Sequence, residues 1–333
     1  MIAARLTTAY RSLRMIGFDL LPPFLVRLIS RYVITPISSY RKLNSQIDST
    51  SIFVSNPKEL DAAIKLADAS TPDDGLRSLL GRIHYTHQRD MPADPFSQEY
   101  KDAVMQDYLD ISGRASYDSA VDEASDFEFD HIKDRPFPYL TQSTRTLGQQ
   151  LMMQGFVIGS TPLKPGCSIL EFGPGWGNTT LHLAQSGFKV TAVDVFAGFT
   201  KLIQYRATQL NLDVNVVQSD MLNYESPEQF DVILFFECFH HCADHQQMLQ
   251  RLHRLLKDDG VVIFGAEPIG NQKAPWGIRR DGMAVWSVRK FGWFELGFRQ
   301  DYFLDALQRF GWQSEMHTSC DIPYCNVVIA RKK

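Results

Sequence analysis

A glycine-rich turn between an apolar segment and a helix start constrains this chain of 333 residues more than any other feature. The residues from Ile169 to Thr179 read ILEFGPGWGNT. Glycine lets a backbone adopt positive φ and come close to a ligand, and a helix N-terminus offers free N–H groups to an anionic group. The segment therefore predicts a strand, a turn and a helix that bind a nucleotide-type ligand.

Short apolar segments alternate with helical segments downstream of residue 141. The pattern predicts a helix at 141–156, then strands at 168–172, 189–193, 214–218, 230–235 and 261–266, with helices between them such as 179–185 and 246–256. A further helix at 301–310 leads to two strands, 313–318 and 326–330. Strands that alternate with helices imply a parallel sheet with helices on both faces.

The spacing of the glycines identifies the type of turn. Asn178 stands where a dinucleotide fingerprint has its third glycine, and no Gly-Lys-Ser/Thr follows as in a phosphate loop. The pattern E-x-G-x-G-x-G, with Glu171 at the strand end, resembles that of the class I S-adenosylmethionine-dependent methyltransferases. The resemblance covers residues 141–333. It implies an α/β fold with a Rossmann-like, doubly wound, seven-stranded, mostly parallel sheet whose final strand is antiparallel.

The resemblance also implies S-adenosylmethionine as the cofactor and a set of residues around it. In this family the glycine turn faces the amino-acid part of the cofactor, the acid ending the second strand meets the ribose, and the acid after the third strand meets the adenine. Carried over to this sequence, the cofactor residues are Glu171, Gly173, Pro174, Gly175, Gly177, Asn178, Asp194, Val195, Asp220, Met221 and Glu237.

Candidate catalytic residues follow the fourth and fifth strands. A hydroxyl that attacks the methyl group must lose its proton to a base, and histidine suits that task near neutral pH. His240 and His241 follow the fourth strand, and Glu267 ends the fifth as a second base candidate. A role of the histidines in packing or orientation is the alternative. We expect no metal site, because four ligands within five residues do not match the usual separated pairs.

An aromatic insertion at 268–300 lies between the fifth strand and the last helix. Its aromatic and basic side chains suit a sugar, a phosphate or a flat aromatic acceptor. The alternative is an amphipathic cover of the sheet edge. Tyr139, in a proline-containing segment before the domain, is a further candidate. The predicted substrate-binding residues are Tyr139, Trp276, Arg279, Arg280 and Trp286.

The identity of the acceptor stays open. The residues from Glu237 to Cys242 loosely resemble those of methyltransferases associated with bacterial polysaccharide assembly, so a sugar or glycan hydroxyl is our first prediction. An aromatic or quinone-type small molecule is the second, and a non-catalytic cofactor-binding subunit the third. Asn178 disfavours a nicotinamide-dependent reductase. The absence of a polar residue and Pro-Pro-aromatic after the fourth strand disfavours a nucleic-acid amino-methyltransferase.

The first 140 residues are predicted to form a helical N-terminal region. Asn56, Pro57 and Glu59 mark one helix start and Thr71 another, while a helix with apolar residues from Phe96 to Tyr108 ends at Gly113. The acidic stretch 118–134 is interpreted as a solvated linker.

Residues 1–42 carry seven basic residues and one acidic residue, and their apolar pattern predicts two short amphipathic helices. They predict peripheral contact with an anionic membrane surface, with packing on the protein itself as the alternative.

The net charge of −4 argues against a nucleic-acid partner. Five cysteines, an odd number, suggest no disulfide framework and a cytoplasmic setting. The oligomeric state stays open.

Overall fold

The computed structural model describes residues 51–68, 79–125, 127–135, 143–161, 163–322 and 325–333. The amphipathic segment 1–42, the start of the helix predicted after Thr71 and the substrate candidate Tyr139 lie outside these residues. That helix was predicted to extend to Ile83, which instead lies in a strand, Ile83–Tyr85. None of the described helices is long and apolar enough to cross a membrane.

The described strands and helices, in chain order, have the following bounds. The strands are β1 (Ile52–Val54), β2 (Ile83–Tyr85), β3 (Ser168–Phe172), β4 (Lys189–Asp194), β5 (Val214–Gln218), β6 (Phe230–Phe236), β7 (Leu256–Gly265), β8 (Ile269–Gly270), β9 (Trp276–Ile278), β10 (Leu296–Arg299), β11 (Trp312–Thr318) and β12 (Asn326–Lys332). The helices are α1 (Pro57–Asp68), α2 (Gln98–Ser112), α3 (Ser119–Asp122), α4 (Phe129–Ile132), α5 (Thr144–Ile158), α6 (Asn178–Gln185), α7 (Ala197–Gln209), α8 (His245–Leu255), α9 (Gly282–Lys290) and α10 (Gln300–Arg309), with a 3₁₀ turn at Phe239–His241.

The central sheet, as formed by the described residues, has seven strands in the order β11-β12-β7-β6-β3-β4-β5. The five strands from β7 to β5 are parallel, and β12 pairs antiparallel with both β7 and β11. This confirms the predicted fold class. Strand β7 is longer than predicted, because Leu256 pairs with Phe230 ahead of an irregularity in the ladder. The carboxyl ends of β3, β4, β5, β6 and β7 lie at one edge of the sheet, where ligands bind in open α/β folds.

Two upstream helices begin or end where the sequence predicts. Asn56 Oδ1 accepts the N–H of Glu59 at 3.1 Å, and the Glu59 carboxylate reaches back to the N–H of Ser55 at 2.7 Å. Helix α2 ends at Gly113, which adopts φ +73 and donates its N–H to Leu109. These local bonds satisfy backbone groups that a helix end leaves unpaired.

The upstream helices pack into the same core as the sheet. Residues Ile52–Lys333 form one compact unit, and one cluster of buried side chains joins Val54 and Tyr100 to Phe235 and Phe264. The boundary expected at residue 140 therefore does not divide two separate cores. The reason is that α2 packs against the apolar surface of the insertion. The hydroxyl of Tyr100, in α2, also donates a hydrogen bond to the carbonyl of Trp276, in the insertion.

The insertion forms a small sheet and a helix. Strand β10 pairs parallel with β8 and antiparallel with β9, and α9 lies between β9 and β10 in sequence. Residues Trp276, Phe294 and Phe298 are almost fully buried. These three aromatic residues of the insertion therefore contribute to the core.

The acidic stretch 118–134 is not a solvated linker, so that interpretation was wrong. Asp122 is buried and pairs with Arg114. The Arg206 side chain of α7 donates to the carbonyls of Ile132 at 2.8 Å and Trp176 at 2.5 Å. One arginine thus joins the acidic stretch to the glycine turn, because it supplies donors to carbonyls of both segments.

Candidate functional site

Three glycines shape the turn after β3. Gly173, Gly175 and Gly177 have φ of +57, +52 and +75, values that side chains other than glycine rarely adopt. A Cβ atom on Gly173 would lie 2.7 Å from the Cβ of Cys238, whereas one on Gly175 would meet no atom within 4 Å. Gly173 thus allows close packing, while Gly175 borders open space in which a ligand can approach the backbone.

Two cavities open beside this turn in the described part of the chain. We call the larger one, of about 890 Å³, the Asp194 cavity, and the other, of about 600 Å³, the His240 cavity. Both lie at the carboxyl ends of the parallel strands. Their shared wall consists of Gly173, Gly175, Trp176, Glu237 and Trp293.

Acids at the ends of β4 and β5 line the Asp194 cavity. Asp194 accepts the N–H groups of Gly175 at 3.1 Å and Phe196 at 2.9 Å, and burial raises the pKa of its carboxyl to about 6. Asp220 accepts the Ser119 hydroxyl at 2.6 Å. The predicted cofactor residues on this wall are Gly173, Gly175, Asp194, Val195, Asp220, Met221 and Glu237.

Glu171 and Gly177 do not belong to either cavity wall as the described residues form it. The Glu171 side chain is buried beneath the turn and accepts the Thr180 hydroxyl at 2.5 Å. Burial raises the pKa of its carboxyl to about 7. Gly177 is the residue before α6. Both residues support the turn from behind, whereas Pro174 and Asn178 line the His240 cavity.

Glu267 organises the 3₁₀ turn at the end of β6. Its carboxylate accepts the N–H groups of Cys238, Phe239 and His240 at 2.8–3.1 Å, and it lies 2.8 Å from Nδ1 of His240. Burial by itself raises the pKa of Glu267, but the electrostatic interaction with His240 and these hydrogen bonds outweigh it and hold the pKa below its ordinary value. With its oxygens so occupied, Glu267 is a positioning residue and not the free base that the sequence predicted.

The backbone is strained on both sides of this arrangement. Glu237 and Ala266, the residues that follow β6 and β7, have φ of +52 and +55. Such values cost free energy in residues other than glycine and tend to occur at functional sites. Both residues line the His240 cavity.

His241 faces the other cavity and has an acidic partner. Its Nδ1 atom lies 3.2 Å from Glu123 Oε2. Burial lowers the pKa of His241, but the charge of Glu123 outweighs this effect and raises the pKa to about 9. His241 therefore holds its proton at neutral pH, which does not suit a general base. His240 lines the His240 cavity.

Glu123 is a site residue that the sequence analysis missed. Its other oxygen accepts the Tyr117 hydroxyl at 2.9 Å and the N–H of Phe294 at 2.8 Å. Nothing in the sequence distinguishes Glu123 from the other acids of this stretch. Glu295 and Trp293 were likewise not identified as site residues, although both line the His240 cavity.

Three of the predicted substrate residues line neither cavity as the described residues form it, and the prediction for Trp276 was wrong because it lies in the core. Trp276 is 1% exposed and donates its ring N–H to the carbonyl of Pro95. Arg280 pairs with buried Asp107, and Trp286 packs edge-to-face on Phe291. The antiparallel pairing of β9 with β10 turns Trp276 towards the core.

Arg279 alone among the described substrate candidates reaches a cavity wall. It lines the His240 cavity and donates two hydrogen bonds to Asp281, at 2.9 and 3.0 Å. A further nitrogen lies 3.3 Å from Glu295 Oε2. The guanidinium is therefore fixed in place with its charge balanced by two carboxylates.

Comparisons with known proteins agree on the central segment of the chain. Residues 170–264 match the family described as "Methyltransferase domain". A ubiquinone biosynthesis O-methyltransferase of Rickettsia akari (strain Hartford) is 32% identical over 96 residues, which are 29% of this chain and 38% of that protein. An (S)-coclaurine N-methyltransferase of Thalictrum flavum subsp. glaucum is 27% identical over 129 residues, 38% of this chain and 36% of that protein.

A solved methyltransferase structure is also similar to this chain. A methyltransferase from Aquifex aeolicus, described as SAM dependent, has 20% identity and a TM-score of 0.45, over 62% of this chain and 98% of that one. The chain spans under two fifths of the length of the curated relatives named above.

Proposed function

We propose that this chain, which contains a class I S-adenosylmethionine-dependent methyltransferase domain with S-adenosylmethionine as its cofactor, transfers a methyl group to a hydroxyl of a polar acceptor. The family match over residues 170–264 and the seven-stranded sheet support the domain assignment. The observation that carries the proposal is the wall shared by the two cavities. A cofactor in the Asp194 cavity and an acceptor in the His240 cavity would meet there.

The residues of the Asp194 cavity fit the cofactor. The open space beside Gly175 leaves room for its amino-acid part. Asp194, at the end of β4, suits the ribose hydroxyls, and Asp220 with Met221 suits the adenine. When bound, S-adenosylmethionine supplies an electrophilic methyl group on a sulfonium. The protein's part is then to hold the acceptor oxygen in line and close to that group.

His240 is the side chain best suited to take the acceptor's proton. Glu267 lies 2.8 Å from its Nδ1 atom, and this contact fixes the ring and leaves Nε2 as the proton-accepting atom. A carboxylate plays the same orienting role in the Ser-His-Asp triad. His241, which is already protonated, and Glu267, which accepts several hydrogen bonds, are less suited.

The charges around the His240 cavity favour a neutral acceptor. Glu237, Glu267 and Glu295 line it, while the one arginine on its described wall, Arg279, is already paired with Asp281. An acidic acceptor would face these carboxylates, whereas a neutral hydroxyl would not be repelled. A sugar or glycan hydroxyl is our first candidate.

An aromatic hydroxyl is the second candidate. Trp176 and Trp293 stand on the shared wall and offer flat apolar faces. The relatives described as ubiquinone biosynthesis O-methyltransferases support this alternative. Because another relative is described as a coclaurine N-methyltransferase, the test includes amines as comparison acceptors.

The test measures methyl transfer to a matched panel of acceptors. The protein is incubated with methyl-labelled S-adenosylmethionine and neutral sugars, oligosaccharides, phenols or amines, and the labelled product is quantified. We expect transfer to hydroxyl acceptors, and a fall of about 10²–10⁴-fold in turnover for His240→Asn with cofactor affinity unchanged. His253→Asn is the control, because His253 packs on Trp312 and is bonded to the Phe310 carbonyl.

Two results would contradict the proposal. Transfer to amines alone would reject hydroxyl chemistry. Cofactor binding without transfer to any class would support a non-catalytic cofactor-binding subunit instead.

A further inference from the structure

We propose that His240, His241 and Glu295 bind one divalent metal ion of the zinc class. One ligand atom from each of the three side chains lies within 4.8 Å of the other two. The histidines are adjacent in the 3₁₀ turn, and Glu295 comes from the segment before β10. Neither the family match nor the similarity to relatives assigns a metal here, and the sequence analysis expected none.

The distances are close to those of a metal site. Nε2 of His240 lies 3.7 Å from Oε2 of Glu295, too far for a hydrogen bond. Two ligands at about 2.0–2.1 Å from a tetrahedral zinc ion are about 3.3 Å apart. The pair therefore needs to close by only a few tenths of an ångström, and the ligand atom of His241 lies within 4.8 Å of both.

Each imidazole has a carboxylate close to its Nδ1 atom. Glu267 is 2.8 Å from Nδ1 of His240, and Glu123 is 3.2 Å from Nδ1 of His241. Histidines that bind metals almost always hydrogen-bond to such a partner through the second ring nitrogen, as His240 does to Glu267, which fixes the ring and increases its basicity. Glu123 lies within ion-pair distance of His241 Nδ1 without hydrogen-bond geometry. The two carboxylates come from different parts of the chain, so the arrangement does not follow from the sequence order of the histidines.

The charge around the cluster leaves room for a divalent ion. Glu123, Glu267 and Glu295 are each at most 12% exposed in their side chains, and Arg279 supplies a cation at 3.3 Å from Glu295. Buried carboxylates require pairing with positive charge. A doubly charged ion would add to the balance that Arg279 begins, and it would bind in place of the proton that His241 holds.

The ligand set identifies the class of ion. Two histidines and one glutamate are a common catalytic zinc set, which leaves a fourth position open. Magnesium prefers oxygen ligands and octahedral geometry, so it should bind poorly. His241 lines one cavity, and His240 and Glu295 line the other, so the open position lies near the wall that the two cavities share.

Ion binding would affect the proposed reaction. This consequence rests on the proposed function, whereas the metal site itself does not. The ion would use Nε2 of His240, the atom that we propose accepts the proton. A bound zinc ion and proton transfer to His240 would therefore exclude each other, and zinc would slow turnover.

The test is calorimetric titration of the full-length protein with Zn²⁺ alone, with Mg²⁺ as the comparison ion. All measurements use a Cys320→Ser background, since Cys320 is an exposed thiol. We expect one zinc site, at least 10-fold weaker in Glu295→Gln and in His241→Asn, and about 10–100-fold weaker in Glu123→Gln. His317→Asn, an exposed histidine 3.6 Å from Glu315, is the matched control and should keep the affinity.

Specific results would overturn the proposal. They are the absence of a zinc site, unchanged affinity in Glu295→Gln, or loss of the site in His317→Asn. Calorimetry with the demethylated cofactor product on the same samples tests folding and the proposed function separately. Normal product binding without zinc binding would reject the metal site and leave the methyltransferase proposal intact.

Discussion

The ion pair between Glu123 and His241 gives the most sharply quantified prediction. The substitution Glu123→Gln removes the charge 3.2 Å from His241 Nδ1. It keeps an oxygen that can accept the N–H of Phe294 and the hydroxyl of Tyr117, both bonded to Glu123. Because Glu123 is the main cause of the raised pKa, the pKa of His241 should fall from about 9 towards 6.5.

The change in pKa implies a change in stability. A pKa of about 9 in the folded state against 6.5 in the unfolded state corresponds to roughly 3 kcal/mol. His241 is 21% exposed in its side chain, so solvent screens this interaction only in part. The folded protein binds the proton more tightly than the unfolded chain does. The contribution is therefore complete below pH 6.5 and disappears as the pH rises through 9.

Urea denaturation at three pH values tests this prediction. The free energy of unfolding of Glu123→Gln should lie below that of the wild type by about 3 kcal/mol at pH 6, about 2 kcal/mol at pH 7.5 and close to zero at pH 10. Glu128→Gln, the same substitution at an exposed position in the same stretch, should have little effect. An NMR titration of the His241 ring, assigned by its absence in His241→Asn, measures the pKa directly.

A pH-independent difference would refute the reasoning. It would mean that Glu123→Gln acts through hydrogen bonding to Tyr117 or Phe294 and not through the protonation of His241. An unchanged pKa of His241 in the variant would have the same meaning.

Three further predictions concern the cofactor and the turn at His240. Asp194→Ala should weaken binding of the demethylated cofactor product by about 1–3 kcal/mol, because a hydrogen-bonding charged group is lost; calorimetry measures this, with exposed Asp213→Ala as the control. Gly175→Ala and Gly187→Ala replace glycines at φ of +52 and +88 that have open space around them. Each substitution should therefore lower the free energy of unfolding by about 1–2 kcal/mol, but only Gly175→Ala should weaken binding of the demethylated cofactor product. Glu267→Gln should lower the free energy of unfolding by about 3–5 kcal/mol, because an amide cannot replace a buried carboxylate that accepts several donors; exposed Glu228→Gln should not, and equal stability of the two variants would contradict the positioning role.

Short-range patterns in the sequence predicted the alternating strands and helices of the central sheet. The predicted strands at 168–172 and 214–218 coincide with β3 and β5, and the helix starts at Asn56 and Gly177 carry local hydrogen-bonding or glycine signals. Positive φ at the turn glycines, apolar runs in buried strands and helix caps all depend on residues a few positions apart. The acids at the ends of β4 and β5 were predicted from the family resemblance, and both line the Asp194 cavity.

The tertiary structure alone decided which side chains face the cavities. Glu123 reaches His241 across more than a hundred residues of sequence, and Glu267 is a positioning residue only because the backbone of Cys238 to His240 folds onto it. Trp276 was expected at the substrate and lies in the core, because the antiparallel pairing of β9 with β10 determines which face it occupies. A carboxylate is a base, an ion-pair partner or a hydrogen-bond acceptor according to what packs against it, and those neighbours come from distant segments that the sequence does not bring together.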